Sequence, residues 1–279
     1  MTERQKLWKL ITSQWLEKFP FLKQYGASRL YYRTDIFLIG IWLEKSAYGS
    51  SYEPKFVVKP LWTGVSDSYE NCFCTPFYTN EQRDYWNDID IYPWYDMENK
   101  PDLRQHNLFF KRYIDNPNPL YNQVLNGIIS YDWIYEEAVL YFTEKNKKHE
   151  YDFYKNWMFL ELMLALSLYF EDSVLKEKAK QAFDRFIWQS EKRLKRGSFT
   201  GGNGPEAIDW LEILKRRIIP IFDSRESLIA VCEENSKLKK ITTLNKGEMV
   251  DSPPLLKEGF SKEMKNLFMR IFYPTRFRW

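Results

Sequence analysis

The sequence predicts an α+β fold: an N-terminal helix and antiparallel sheet followed by a mainly α-helical C-terminal half. Three observations predict it. Residues 4–19 repeat apolar side chains at helical spacing, and Asp35–Glu44 is apolar on both strand faces. From about Ser130 onward the apolar residues return with the 3.6-residue period. The chain has 279 residues, room for one large domain or two small ones. The division expected is a sheet domain over 1–125 and a helical domain over 126–279, with one compact unit as the alternative. The join falls near Asn116-Pro-Asn-Pro119.

In the first helix Leu7, Trp8, Ile11, Trp15, Leu16 and Phe19 make the apolar stripe, Lys6, Lys9 and Glu17 lie off it, and Pro20 ends it. Three strands follow over Arg29–Arg33, Asp35–Glu44 and Pro54–Trp62, the middle one central because it is apolar at both parities. The Gly/Ser-rich turn Ala47–Tyr52 joins the last two as a hairpin. Pro60 makes the third strand an edge candidate or ends its pairing. Shorter strands are expected over Cys72–Tyr78 and His106–Tyr113. A helix capped by Ser130 or Asp132 then runs to about Lys147. Further helices are expected over Asp152–Phe170, Asp172–Arg196, Pro205–Phe222, Ser224–Leu238 and Ser261–Phe272.

Composition excludes collagen, coiled coil and wholesale disorder. The 20 Phe, 19 Tyr and 11 Trp exceed what one core absorbs, so some aromatics are expected at a binding surface. Three cysteines are too few for a disulfide framework and indicate a reducing compartment. Charges interrupt Met1–Leu10, against a signal peptide, and the longest apolar run, Met158–Phe170, falls short of the ~20 residues of a membrane span. The expectation is a cytoplasmic protein with no membrane partner. Charge is uneven along the chain. Lys176–Trp279 carries 22 basic and 14 acidic residues, whereas Glu81–Asp102 holds seven acids against two bases.

Catalytic motifs are weak. Cys72-Phe-Cys74 lacks the zinc spacing and a second cluster, so neither a metal nor a cofactor is expected. There is no GxSxG or HExxH, and His106 and His149 have no partner legible in sequence. Asp35 followed by Glu53-Pro-Lys55 imitates the acid, acid-x-Lys order of metal-dependent nucleases, but an ion-paired turn is preferred. Gly197–Gly204 lacks the P-loop lysine and reads as an interhelix loop. Lys176, Lys178, Lys180, Arg185, Lys192, Arg193, Lys195 and Arg196 make one helix basic, but Glu177, Asp184 and Glu191 interleave, so a solvated face is preferred to a nucleic-acid surface. Leu166, Ser167, Phe170, Ala179 and Phe183 match one tetratricopeptide-like copy; no second copy exists, so a helical hairpin is preferred.

Within residues 22–62, Tyr25-Gly26, the polar strand Leu30–Arg33, the apolar strand Ile36–Leu43, Glu44-Lys-Ser46 and Phe56-Val-Val58 follow one another. In that order they resemble an uncharacterised bacterial family of α+β, toxin-immunity-like proteins. The resemblance implies a non-enzymatic protein-binding module, an immunity or antitoxin-like inhibitor whose partner is a basic toxin. The expected partner-binding residues come from the acidic stretch: Asp84, Tyr85, Trp86, Asp88, Asp90, Tyr92, Trp94, Tyr95 and Asp96. Tyr and Trp anchor interfaces, and carboxylates steer a basic partner. The alternative is a nucleic-acid-acting effector or an enzyme using carboxylates without a recognisable motif.

Overall fold

The computed structural model describes residues 2–46, 51–63, 73–76, 89–90, 103–111, 123–131, 133–134, 153–195, 211–212, 215–216 and 220–250. The fold is mixed α+β, with an N-terminal helix, an antiparallel sheet and then helices. Backbone proximity divides the chain into two units, 1–129 with 236–250, and 130–235 with 251–279.

The first unit begins with α1 (Glu3–Lys18). Thr2 caps it reciprocally: its hydroxyl accepts the Gln5 N–H, and the Gln5 side chain accepts the Thr2 N–H. Leu7, Trp8, Ile11, Trp15 and Phe19 are buried, as the stripe requires, whereas Leu16, also assigned to it, is half-buried. The sheet runs β1 (Lys23–Gln24), β2 (Arg29–Arg33), β3 (Phe37–Lys45), β4 (Ser51–Pro60) and β5 (Phe73–Pro76) in spatial order, and β6 (Ile89–Asp90) also pairs with β4. All these pairings are antiparallel. β3 lies inside the sheet. Phe37 to Ile41 is buried throughout, but Trp42, Glu44 and Lys45 at its far end are part-exposed.

β4 is not an edge strand. It pairs with β3 along its whole length and with β5 and β6 on its other side. Its prolines are tolerated by position: Pro60 is the terminal residue, and Pro54 falls between the β6 partners at Ser51–Tyr52 and the β5 partners at Lys55–Val58. Tyr52, expected in the turn, is a β4 residue opposite Lys45. Where a strand is expected over His106–Tyr113, the residues to Phe109 are instead helical, in α2 (Arg104–Phe109), and Arg112 and Tyr113 lie outside the described residues. Helical spacing puts His106, Phe109 and Phe110 on one side, where they pack on Trp15 and Tyr52, and that burial overrides local strand preference.

Two later pieces complete this unit. β7 (Ile128–Ser130) pairs with β8 (Glu248–Val250), and Lys246 bridges to Arg33. Tyr25 donates from its hydroxyl to the Lys239 carbonyl, Lys23 to Thr243, and Asn245 to the Phe21 carbonyl.

In the second unit α3 (Phe153–Tyr169) and α4 (Ser173–Lys195) pack as a hairpin. Phe159 to Leu168 is buried without a break, as in a helix enclosed on all sides. Glu171 in the left-handed region lets the Asp172 N–H reach the Ser167 carbonyl, and the Asp172 carboxylate then caps α4 through Val174 and Leu175. Ala179 and Phe183 are buried in the hairpin. Ser224 caps α5 (Arg225–Leu238) through the Ser227 N–H, and Ser130 accepts from the Trp133 N–H as anticipated. The expected helix over 261–272 lies outside the described residues. No helix among the described residues is long and apolar enough to cross a membrane.

Candidate functional site

The most chemically distinctive cluster in the first unit centres on His106. The imidazole is fully buried. Its Nε2 lies 2.6 Å from Gln14 Oε1, an atom that can only accept, so Nε2 carries the proton. Nδ1 is then the acceptor for the Tyr52 hydroxyl at 2.5 Å. α1 supplies Gln14 from the margin of its apolar stripe, β4 supplies Tyr52, and α2 supplies the histidine. Aromatic rings enclose the trio: Phe110 lies 4.7 Å from the imidazole, and Trp8 meets Tyr52 edge-on at 5.7 Å. Burial pulls His106 from 6.5 to about 4 and pushes the Tyr52 phenol up, so both are neutral near pH 7. This network is a neutral tie between two helices and the sheet.

A second cluster lies on the opposite face of the sheet. Glu44 and Glu53 face each other across β3 and β4, with Lys55 beside them. Its ammonium pairs with Glu44 and lies 3.2 Å from Glu53. Burial alone would lower Lys55, but the hydrogen bonds and charges of Glu44 and Glu53 prevail and hold it above its usual value. Asp35 is elsewhere, 2.6 Å from Lys246 at the other end of β3. The strand from Phe37 to Glu44, the residue opposite Glu53, lies between them, about 23 Å at ~3.3 Å per residue. The nuclease-like order therefore does not converge, and each charge is spent on an ion pair.

A third feature is an open groove of about 630 Å³ between the first turns of α1 and the end of β3. Among the described residues Arg4, Gln5, Trp8, Lys9 and Lys45 line it. Lys45 lies 4.0 Å above the Trp8 ring. Burial, and then the charge of Arg4, lower the Lys45 pKa.

Of the expected partner-binding residues, Asp90 is placed in β6 opposite Ser51. Asp84, Tyr85, Trp86, Asp88, Tyr92, Trp94, Tyr95 and Asp96 lie outside the described residues, as do Cys72, His149 and Gly197–Gly204. Cys74 sits in β5 opposite Val57, and Cys232 is buried in α5. No group of three or more His, Cys, Asp or Glu able to hold a metal occurs among the described residues. On α4 Trp188 is 56% exposed and lies 4.7 Å from the Lys192 ammonium. Sequence reasoning missed Gln14 and Tyr52. Their signal was faint: a polar residue at the margin of an apolar stripe, and a tyrosine beside a turn. No protein-family model, curated protein or solved structure matches this chain.

Proposed function

We propose that this chain is a binding module of the immunity or inhibitor type rather than an enzyme. The observation that supports it is the state of His106. The side chain with most potential as a general base has both nitrogens engaged, is shielded by aromatic rings and is held neutral to about pH 4. A group so enclosed stabilises a scaffold; it does not reach a substrate. The carboxylates of β3 and β4 are similarly taken up by Lys55.

The proposed partner is a basic protein, and the proposed docking segment is Asp84–Asp96, with Trp86, Trp94 and Tyr95 as anchors and Asp84, Asp88, Asp90 and Asp96 as steering charges. The test is affinity capture from the native host with wild-type protein and with the Trp86→Ala, Trp94→Ala double variant. A basic partner retained by wild type and lost from the variant, with circular dichroism unchanged, supports the reading. Equal capture, or a variant that unfolds because these rings belong to the core, refutes it.

A further inference from the structure

At Asn126-Gly127 the sequence supplies a chemical reactivity that the fold opposes. An asparagine followed by glycine is prone to ring closure, because no Cβ screens the glycine nitrogen as it attacks the neighbouring side-chain carbonyl carbon. Asn126 is exposed, so hydroxide and water reach it. Closing the ring needs two further things. The Gly127 nitrogen must lose its proton, and the peptide unit joining the two residues must turn towards Asn126 Cγ.

Both are resisted in the folded sheet unit. The Gly127 N–H donates to the Val124 carbonyl at 3.1 Å, and the Gly127 carbonyl accepts the Glu248 N–H at 2.7 Å. Gly127 is buried at φ +95°, where a Cβ would run into the Phe21 ring. Gly247 closes another side, since a Cβ on it would lie 2.7 Å from the Gly127 carbonyl oxygen. Segment 236–250 also steadies Phe21, because Asn245 Nδ2 donates to the Phe21 carbonyl at 2.7 Å. The returning segment is therefore a clamp on Gly127.

We propose that Asn126-Gly127 is a site of spontaneous covalent modification that segment 236–250 holds in check. When the segment lifts, hydroxide removes the Gly127 N–H proton, the nitrogen attacks Asn126 Cγ, and the side-chain nitrogen leaves as ammonia. Water then opens the five-membered imide. Cleavage at the former side-chain carbonyl leaves an ordinary chain with aspartate at 126. Cleavage at the main-chain carbonyl leaves an isoaspartyl link, which adds one methylene to the backbone. Gly127 has no room to shift beneath Phe21, so the lengthened chain loses its bond to Glu248 and the segment docks less firmly. Each opening of the clamp is thus recorded in the covalent structure. The site is independent of the proposed docking segment.

The test is incubation of the full chain in mildly alkaline buffer, with and without urea, followed by peptide mass spectrometry that separates asparagine, aspartate and isoaspartate. In denaturing urea Asn126 should convert at a rate comparable to Asn203 of the other Asn-Gly pair, which calibrates the intrinsic chemistry. In native buffer Asn126 should convert on the order of a hundredfold more slowly than in urea. Asn245→Ala, which removes the bond to Phe21, should raise the native rate about tenfold. It should also exceed wild type brought to the same global stability with a little urea. Lys246→Gln, which removes only the ion pair to Asp35, should raise the rate about threefold and serves if Asn245→Ala does not fold. In the purified isoaspartyl chain the Glu248 amide should exchange hydrogen faster, whereas Asn126→Asp, whose backbone is not lengthened, should keep its protection. Equal conversion in native buffer and urea, conversion that follows global stability alone, or an isoaspartyl chain with wild-type protection at Glu248 overturns the proposal.

Discussion

His106 shows how one buried side chain couples stability to pH. Its pKa falls from 6.5 to about 4 because burial disfavours the charged ring. A folded-state value below the unfolded one means that its stabilising contribution is complete above about pH 6.5. The contribution declines as pH falls and is lost below about pH 4, a change of about 3 kcal/mol. Urea midpoints between about pH 7 and pH 4 should therefore drop more steeply for wild type than for His106→Gln, the difference cancelling the common titration of carboxylates. Tyr52→Phe should destabilise by about 1–3 kcal/mol by leaving Nδ1 buried without a donor. In the His106→Gln background its cost should shrink, which a double-mutant cycle measures. The histidine was visible in sequence as a candidate without a partner. Its partners are 92 and 54 residues away, and no local pattern encodes such a meeting.

Among the elements, β3 was the most legible, because apolar residues at both parities leave an internal strand as the only economical placement. Gly40 inside it has a steric reason to be glycine. Its φ is +155°, and a Cβ there would run into the Leu30 carbonyl oxygen and the Tyr31 ring on the paired strand. Gly40→Ala should cost about 2–4 kcal/mol in chemical denaturation, since backbone must move to admit the methyl. Gly26→Ala meets nothing within 4 Å at φ +75° and should cost only the left-handed penalty of about 1–2 kcal/mol. The element misread was α2. Six helical residues carry little periodic signal, and the aromatic pair Phe109-Phe110 favours a strand locally until Trp15 and Tyr52 supply a surface on one side.

At the scale of the whole molecule, the sheet unit is completed by residues far along the chain. Lys239, Thr243, Asn245 and Gly247 supply hydrogen bonds to Tyr25, Lys23, Phe21 and Arg33, and Ile241 is fully buried. A fragment covering 1–129 should therefore show weaker near-ultraviolet dichroism and an earlier thermal transition than the intact chain, with partial recovery on adding a peptide spanning 236–250. Full native signal from the fragment alone would show that the returning segment is dispensable. The sequence by itself determined the α+β class, α1 and its stop, the three long strands and the α3–α4 hairpin. Each follows from apolar periodicity and caps within a window of a few turns. Tertiary structure alone decided that β4 is internal, that α2 is helical, that residues 236–250 join the sheet unit, and that Lys45 meets Arg4 and Lys9 in one groove. Those outcomes depend on contacts between residues distant in sequence, whose energy exists only once the chain has closed on itself.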